Sequence, residues 1–132
     1  HEVGKNVDDS MLIWFDTEDV KDNFIKFDGG MFDELINKCS AIVCYNDQIA
    51  IKVIDIIREK GMSIPDEVSL VSFDDSQLAL VSEVKLTTMS HPQEKLGQVA
   101  AETLINMMKQ DIRCDKIKME PELIVRGSAK KV

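Results

Sequence analysis

The stretch that decides the fold runs AIVCYNDQIAIKVIDIIREKGMSIPDEVSLVSFDDS, from Ala41 to Ser76. Two apolar runs in it stop abruptly on polar residues, the first at Asn46-Asp47 and the second at Asp74-Asp75. Between them, Ile49, Val53, Ile56 and Ile57, widened by Ala50 and Ile54, fall on one stripe of a 3.6-residue wheel. The pattern predicts a strand over Ala41–Tyr45, a helix that opens with Asp47 as its N-cap, and a strand over Val68–Phe73. Gly61 supplies the left-handed stop after the helix, and Pro65 keeps it from resuming.

The flanking sequence repeats the alternation. Upstream, MLIWF (Met11–Phe15) is a continuous apolar run ending at Asp16, as in a strand covered on both faces. Gly30–Lys38 reads as a short helix with Met31, Leu35 and Ile36 at helical spacing. Downstream, SQLALVSEVKL reads as a loop of apolar content, and Thr87–His91 is extended, as the residue before Pro92 requires. Pro92–Lys109 is the longest predicted helix, with Leu96, Val99, Ala100, Leu104 and Met107 as its buried stripe. Met119–Val125 is a last strand, and Pro121 within it points to an edge or crossover position. Strands and helices alternating over short links predict an α/β fold with a doubly wound parallel sheet. Such sheets bind ligands beyond the carboxyl ends of their strands. Asp16, Asn46-Asp47 and Asp74-Asp75 stand at those ends.

Composition narrows the possible partners. A length of 132 residues suits one domain or a compact part of a larger fold, and an opening on His1 reads as a processed chain or a fragment. Sixteen Lys and Arg against 24 Asp and Glu give a net charge of −8, a poor balance for gripping nucleic-acid phosphates. No apolar run approaches a membrane span, and HEVGKNVDD has no signal-peptide character. Cys39, Cys44 and Cys114 are odd in number and form no C-x-x-C pair, so they read as reduced thiols of a cytoplasmic protein.

Three readings compete for Asp74-Asp75. Paired carboxylates bind Mg²⁺ in phosphatases, but no lysine follows a strand end as a catalytic partner would. Asp residues also order turns and cap helices. The third reading is recognition of a polyol: a carboxylate accepts from two neighbouring hydroxyls, and an amide such as Asn46 both donates and accepts. His91 before Pro92 suits capping or packing rather than catalysis. Cys44 lies inside an apolar strand, and Trp14 and Phe15 are core residues by default. Gly29-Gly30 lacks the G-x-G-x-x-G spacing of a nucleotide loop. No catalytic set, metal site or cofactor is expected.

The blocks AIVCYNDQIAIKVIDIIREKGMSIPDEVSLVSFDDSQLA, LTTMSHPQEKLG and PELIVRGS, in this order and spacing, resemble the effector domain of LacI/GalR-type transcriptional repressors. The resemblance runs from about Ala41 to Ser128, and Ser72 stands where the family has glycine in G-[FY]-D-D. It implies a periplasmic-binding-protein-like fold of two lobes, of which this chain holds mainly the C-terminal one, with residues 92–116 belonging to the other. By the same resemblance Asn46, Asp74 and His91 reach into the cleft between lobes and hold a sugar effector. Asp16-Thr17 stands where the family often has an aromatic, so Asp16 is a further candidate for a sugar hydrogen bond. EVKLTTMSHPQEKLG is most similar to arabinose-responsive repressors, in which a GntR-type winged-helix domain, absent from this chain, binds operator DNA.

The resemblance also implies a homodimer. Ile51 falls outside its helix's core stripe, and Leu78, Leu80 and Val81 make the following loop too apolar for plain solvent contact. Together they are the expected dimer surface. The function expected is allosteric sugar sensing without catalysis. The alternatives are a sugar-binding protein of a transport system and, third, a phosphatase built on Asp74-Asp75.

Overall fold

The computed structural model describes residues 8–13, 29–110 and 116–131. They fall in two compact units, His1–Cys39 and Ser40–Val132. In the first, Asp9–Met11 forms a 3-10 turn capped by Asp8, whose carboxylate accepts the Ser10 N–H at 2.9 Å. That bond holds the Asp8 carboxyl below the usual carboxylate range. The strand expected from Met11 is corrected at its start: Met11 closes the turn and is exposed. The capping chemistry of Asp8 outweighs the apolar run that begins at Met11. Trp14, Phe15 and Asp16 lie outside the described residues. Helix α1 spans Gly29–Ile36 and buries Phe32 and Ile36; the Lys38 and Cys39 N–H groups close its end on the Leu35 carbonyl.

The second unit carries the alternation read from the sequence. Its elements are β1 (Ala41–Val43), α2 (Asp47–Glu59), β2 (Ser69–Asp74), α3 (Gln77–Val81), β3 (Thr87–Ser90), α4 (Gln93–Gln110) and β4 (Glu122–Ile124). The four strands form one sheet in the order β1-β2-β3-β4. Two of the three pairings are parallel and one is antiparallel: β1 and β3 flank β2 in parallel, and β4 joins β3 antiparallel. The fold is therefore α/β with a parallel-dominated sheet. Pro121 immediately precedes β4, an edge strand, where a missing N–H costs no ladder bond.

Helix α2 packs on β2 through the predicted stripe. Ile49, Ala50, Val53, Ile54 and Ile57 are buried, Ile56 of the same stripe is half-buried, and Val68 and Leu70 are buried with them in the core. Its end is a Schellman motif: the Met62 N–H reaches the Ile57 carbonyl at 3.1 Å and the Gly61 N–H the Arg58 carbonyl at 2.8 Å. Gly61 takes φ +72°, the left-handed conformation that this motif demands.

The cap at its start differs from expectation. Asn46, not Asp47, is the N-cap, and its Oδ1 accepts the Ile49 N–H at 3.0 Å. Asp47 is the first helical residue and is buried, where its carboxylate finds other donors. Two further elements depart from the sequence reading. The apolar segment after Ser76 is a short helix, α3, rather than a loop, because packing on α2 rewards burial of Ala79. The α4 stripe is exposed rather than buried: Leu96, Leu104 and Met107 all face solvent.

The segment after β4 closes the sheet. Ser128 is fully buried; its Oγ donates to the Leu70 carbonyl at 2.6 Å and accepts the Thr87 N–H at 2.8 Å. One hydroxyl thus bridges β2 and β3.

Candidate functional site

Parallel registration aligns the carboxyl ends of the first three strands. Val43 pairs with Val71, and Asp74 with Ser90, so Asn46, Asp74 and His91 emerge along one edge of the sheet. An open cleft of about 500 Å³ lies there, lined by Asp74, Asp75, Ser76, Ser90, His91, Pro92 and the first turn of α4. That volume is in the range of small-molecule sites. Asn46 does not line this cleft and sits one strand over, at the end of β1. Its Oδ1 is committed to the helix cap, which leaves the amide N–H₂ as its donor toward a ligand.

Asp74 and His91 meet at the cleft. His91 Nε2 lies 4.0 Å from Asp74 Oδ1, and both side chains are about half exposed. The His91 ring stacks on Phe73, with centroids 6.5 Å apart and planes 23° from parallel. A carboxylate and an imidazole together offer acceptor and donor at the cleft, the mixture that sugar hydroxyls present in return, while Phe73 backs the imidazole without lining the cleft.

The backbone under Asp74 is unusual. Asp74 has φ +103° and Asp75 φ +51°, two consecutive non-glycine residues with positive φ. Such conformations cost roughly 1–3 kcal/mol each and persist only where neighbours hold them. Two groups hold this turn. Arg126 Nη2 stands 2.7 Å from Asp75 Oδ1, with both side chains more than four-fifths buried. No aligned hydrogen bond reaches that oxygen, so the contact is an ion pair off the N–H direction. The same guanidinium is steadied by Nη1, which donates to the Leu86 carbonyl at 2.9 Å.

The second group is the Asp47 carboxylate, 1% exposed. Its Oδ1 accepts from Ser72 Oγ at 2.6 Å and Thr88 Oγ1 at 3.1 Å. Its Oδ2 accepts from the Ser76 N–H at 2.7 Å and Ser76 Oγ at 2.8 Å. Position at the first turn of α2 adds the favourable end of the helix dipole. One carboxylate therefore ties α2, β2, β3 and the start of α3 together. Ser72, at the position where the resembling family has glycine, is one of its donors.

The sequence reading located Asn46, Asp74 and His91 correctly at the strand ends but gave Asp47 the wrong task and passed over Arg126. Ser72 and Thr88 carried a signal, because a hydroxyl inside a buried strand needs a partner. No such signal marks Arg126, whose partner is distant in the chain. Asp16 lies outside the described residues.

Among the described residues no three His, Cys, Asp or Glu gather as a metal site. Asp75 is engaged by Arg126, which works against a metal held between the two aspartates. Burial pushes the Cys44 thiol up to about 12, so it is no nucleophile near neutral pH.

A family profile described as a periplasmic binding protein-like domain matches residues 9–129. The chain belongs to this family. Within curated proteins it is 49% identical over 96 residues to the arabinose metabolism transcriptional repressor of Geobacillus stearothermophilus, covering 70% of this chain and 26% of that protein. It is 42% identical over 105 residues to the repressor of the same name from Halalkalibacterium halodurans, covering 74% and 28%. The chain thus spans little more than a quarter of these relatives. The solved complex of the transcriptional regulator CelR with cellobiose superimposes with a TM-score of 0.78 over 97% of this chain and 38% of that one, at 21% identity. At that identity the likeness attests the family's fold. Among the described residues no helix is long and apolar enough to cross a membrane.

Proposed function

We propose that this chain is the sugar-binding part of a cytoplasmic transcriptional repressor whose effector is L-arabinose. The carrying observation is the Asp74 carboxylate, raised on a strained turn at the strand-end cleft beside His91. Similarity to two repressors of arabinose metabolism supports the choice of sugar. Asp74 accepts two ring hydroxyls, His91 and the Asn46 amide donate, and Phe73 backs the imidazole. Asp16 is proposed as a further contact. The reading assigns no catalysis, metal or cofactor.

The protein works as a two-lobed sensor. Residues 92–116 belong to the other lobe, which accounts for the exposed apolar residues of α4. A GntR-type winged-helix domain outside this chain binds operator DNA, in keeping with the charge of −8 here. Sugar that favours the closed cleft shifts the population toward a form of low operator affinity. Two copies pair through Ile51, Leu78, Leu80 and Val81; the three α3 residues are exposed, and α3 packs beside α2. In an isologous contact each of these acts twice.

The family's own description favours one rival, a solute-binding protein of a transport system. A mobility-shift assay on the intact protein separates the two. Release of operator DNA by L-arabinose, with a dimeric mass, supports the repressor; a monomer that binds sugar but no DNA overturns it.

A further inference from the structure

We infer that Arg126 and Asp47 are positioning residues that hold the Asp74–Ser76 turn in its strained form and so aim the Asp74 carboxylate at the effector. The inference rests on the sugar-binding reading above and goes beyond it, because neither residue touches the cleft.

The Asp75 carboxylate is paired with Arg126 at 2.7 Å. The Asp75 N–H donates to Thr88 Oγ1 at 3.4 Å, and that hydroxyl passes the interaction on to Asp47 at 3.1 Å. The Ser76 N–H and hydroxyl are both taken by Asp47 Oδ2. The Asp74 carboxylate is the exception, with the His91 imidazole 4.0 Å away on the cleft side. The N–H groups and side chains of Asp75 and Ser76 are thus held from behind, while the Asp74 carboxylate faces the cleft.

The clamp explains how two successive aspartates keep positive φ. Released, the turn relaxes toward negative φ, and the carboxylate swings off its aim. The apparent affinity then falls by the fraction of molecules that retain the competent turn. Arg126 is held at both ends of its fork, and its backbone is fixed on Thr87 Oγ1, whose oxygen accepts the Arg126 N–H at 2.9 Å. It is therefore placed to act as a rigid strut rather than as a flexible surface charge.

The test uses the intact protein, with L-arabinose titrated by calorimetry and sugar-free crystal structures of the variants. Arg126→Met is expected to bind about tenfold more weakly, as when one molecule in ten keeps the competent turn. Arg126→Lys should recover most of that loss, since an ammonium restores the charge opposite Asp75. In the sugar-free Arg126→Met structure, Asp74 or Asp75 should have left positive φ. Asp75→Asn, which keeps the shape and the tolerance for left-handed backbone, covers the case in which Arg126→Met fails to fold, and should also weaken binding. Unchanged affinity in Arg126→Met, or a sugar-free variant structure with both φ values still positive and Asp74 unmoved, overturns the inference. If the unaltered protein does not bind L-arabinose, the choice of effector fails, and the sugar-free structures still decide the clamp.

Discussion

Removing the Asp47 carboxylate should do more damage than any other single change at the strand ends. In Asp47→Ala, four donors lose their acceptor at once: Ser72 Oγ, Thr88 Oγ1, and the Ser76 N–H and Oγ. Ser72 and Thr88 are fully buried, so water cannot replace the lost oxygen, at a cost of about 1–3 kcal/mol for each stranded group. Ser76 is only part-buried and recovers some of its bonds from solvent. Freedom from holding a desolvated charge offsets part of the total. The expected loss is about 3–5 kcal/mol of unfolding free energy. Asp47→Asn is a graded control. Its carbonyl can keep the Ser76 side, while its N–H₂ forces the Ser72 and Thr88 hydroxyls to turn and accept, for a loss of about 1–2 kcal/mol. Urea unfolding followed by circular dichroism measures both. A loss under about 1 kcal/mol in Asp47→Ala would refute the assignment of this carboxylate as the tie between elements.

Asn46→Asp separates capping from sugar binding: the carboxylate still caps Ile49, so stability holds, while the lost amide donor should weaken L-arabinose about tenfold, read by calorimetry. Equal sugar affinity in that variant would confine Asn46 to the cap. Ile51→Glu should turn the dimer into folded monomers by burying two unpaired carboxylates, and sedimentation showing an intact dimer would exclude this surface. The Cys44 thiol, pushed to about 12 by burial, has only about one thiolate in 10⁴ at pH 8, so peptide mapping should find it unalkylated until the protein unfolds. Because unfolding returns this thiol to its ordinary 9.0, its contribution to stability is present below pH 9 and is lost as pH rises toward 12.

Much of this architecture was legible because burial leaves periodic marks. The Ile49–Ile57 stripe, the Gly61 stop and the polar residues after each apolar run predicted α2 and the ends of β1 and β2 in nearly their observed positions. Adjacent Asn46 and Asp47 were harder, since both are good caps and only the fold decides which one faces buried hydroxyls. The Gln77–Val81 segment reads as loop because five residues are too few to reveal helical period. For α4, periodicity marked an apolar face correctly but carried no information on what covers it. Positive φ at Asp74 and Asp75 left no trace at all, because aspartate is also at home in ordinary turns. Arg126 was invisible for a related reason: an ion pair between distant segments has no local pattern.

Calorimetric titration of L-arabinose into the intact protein and into its Asp74→Ala variant tests the central claim most directly. Asp74 accepting two sugar hydroxyls predicts saturable binding that the variant loses by about 2–4 kcal/mol, with an unchanged circular dichroism spectrum. Equal affinity in the two proteins would remove Asp74 from the site and contradict the account.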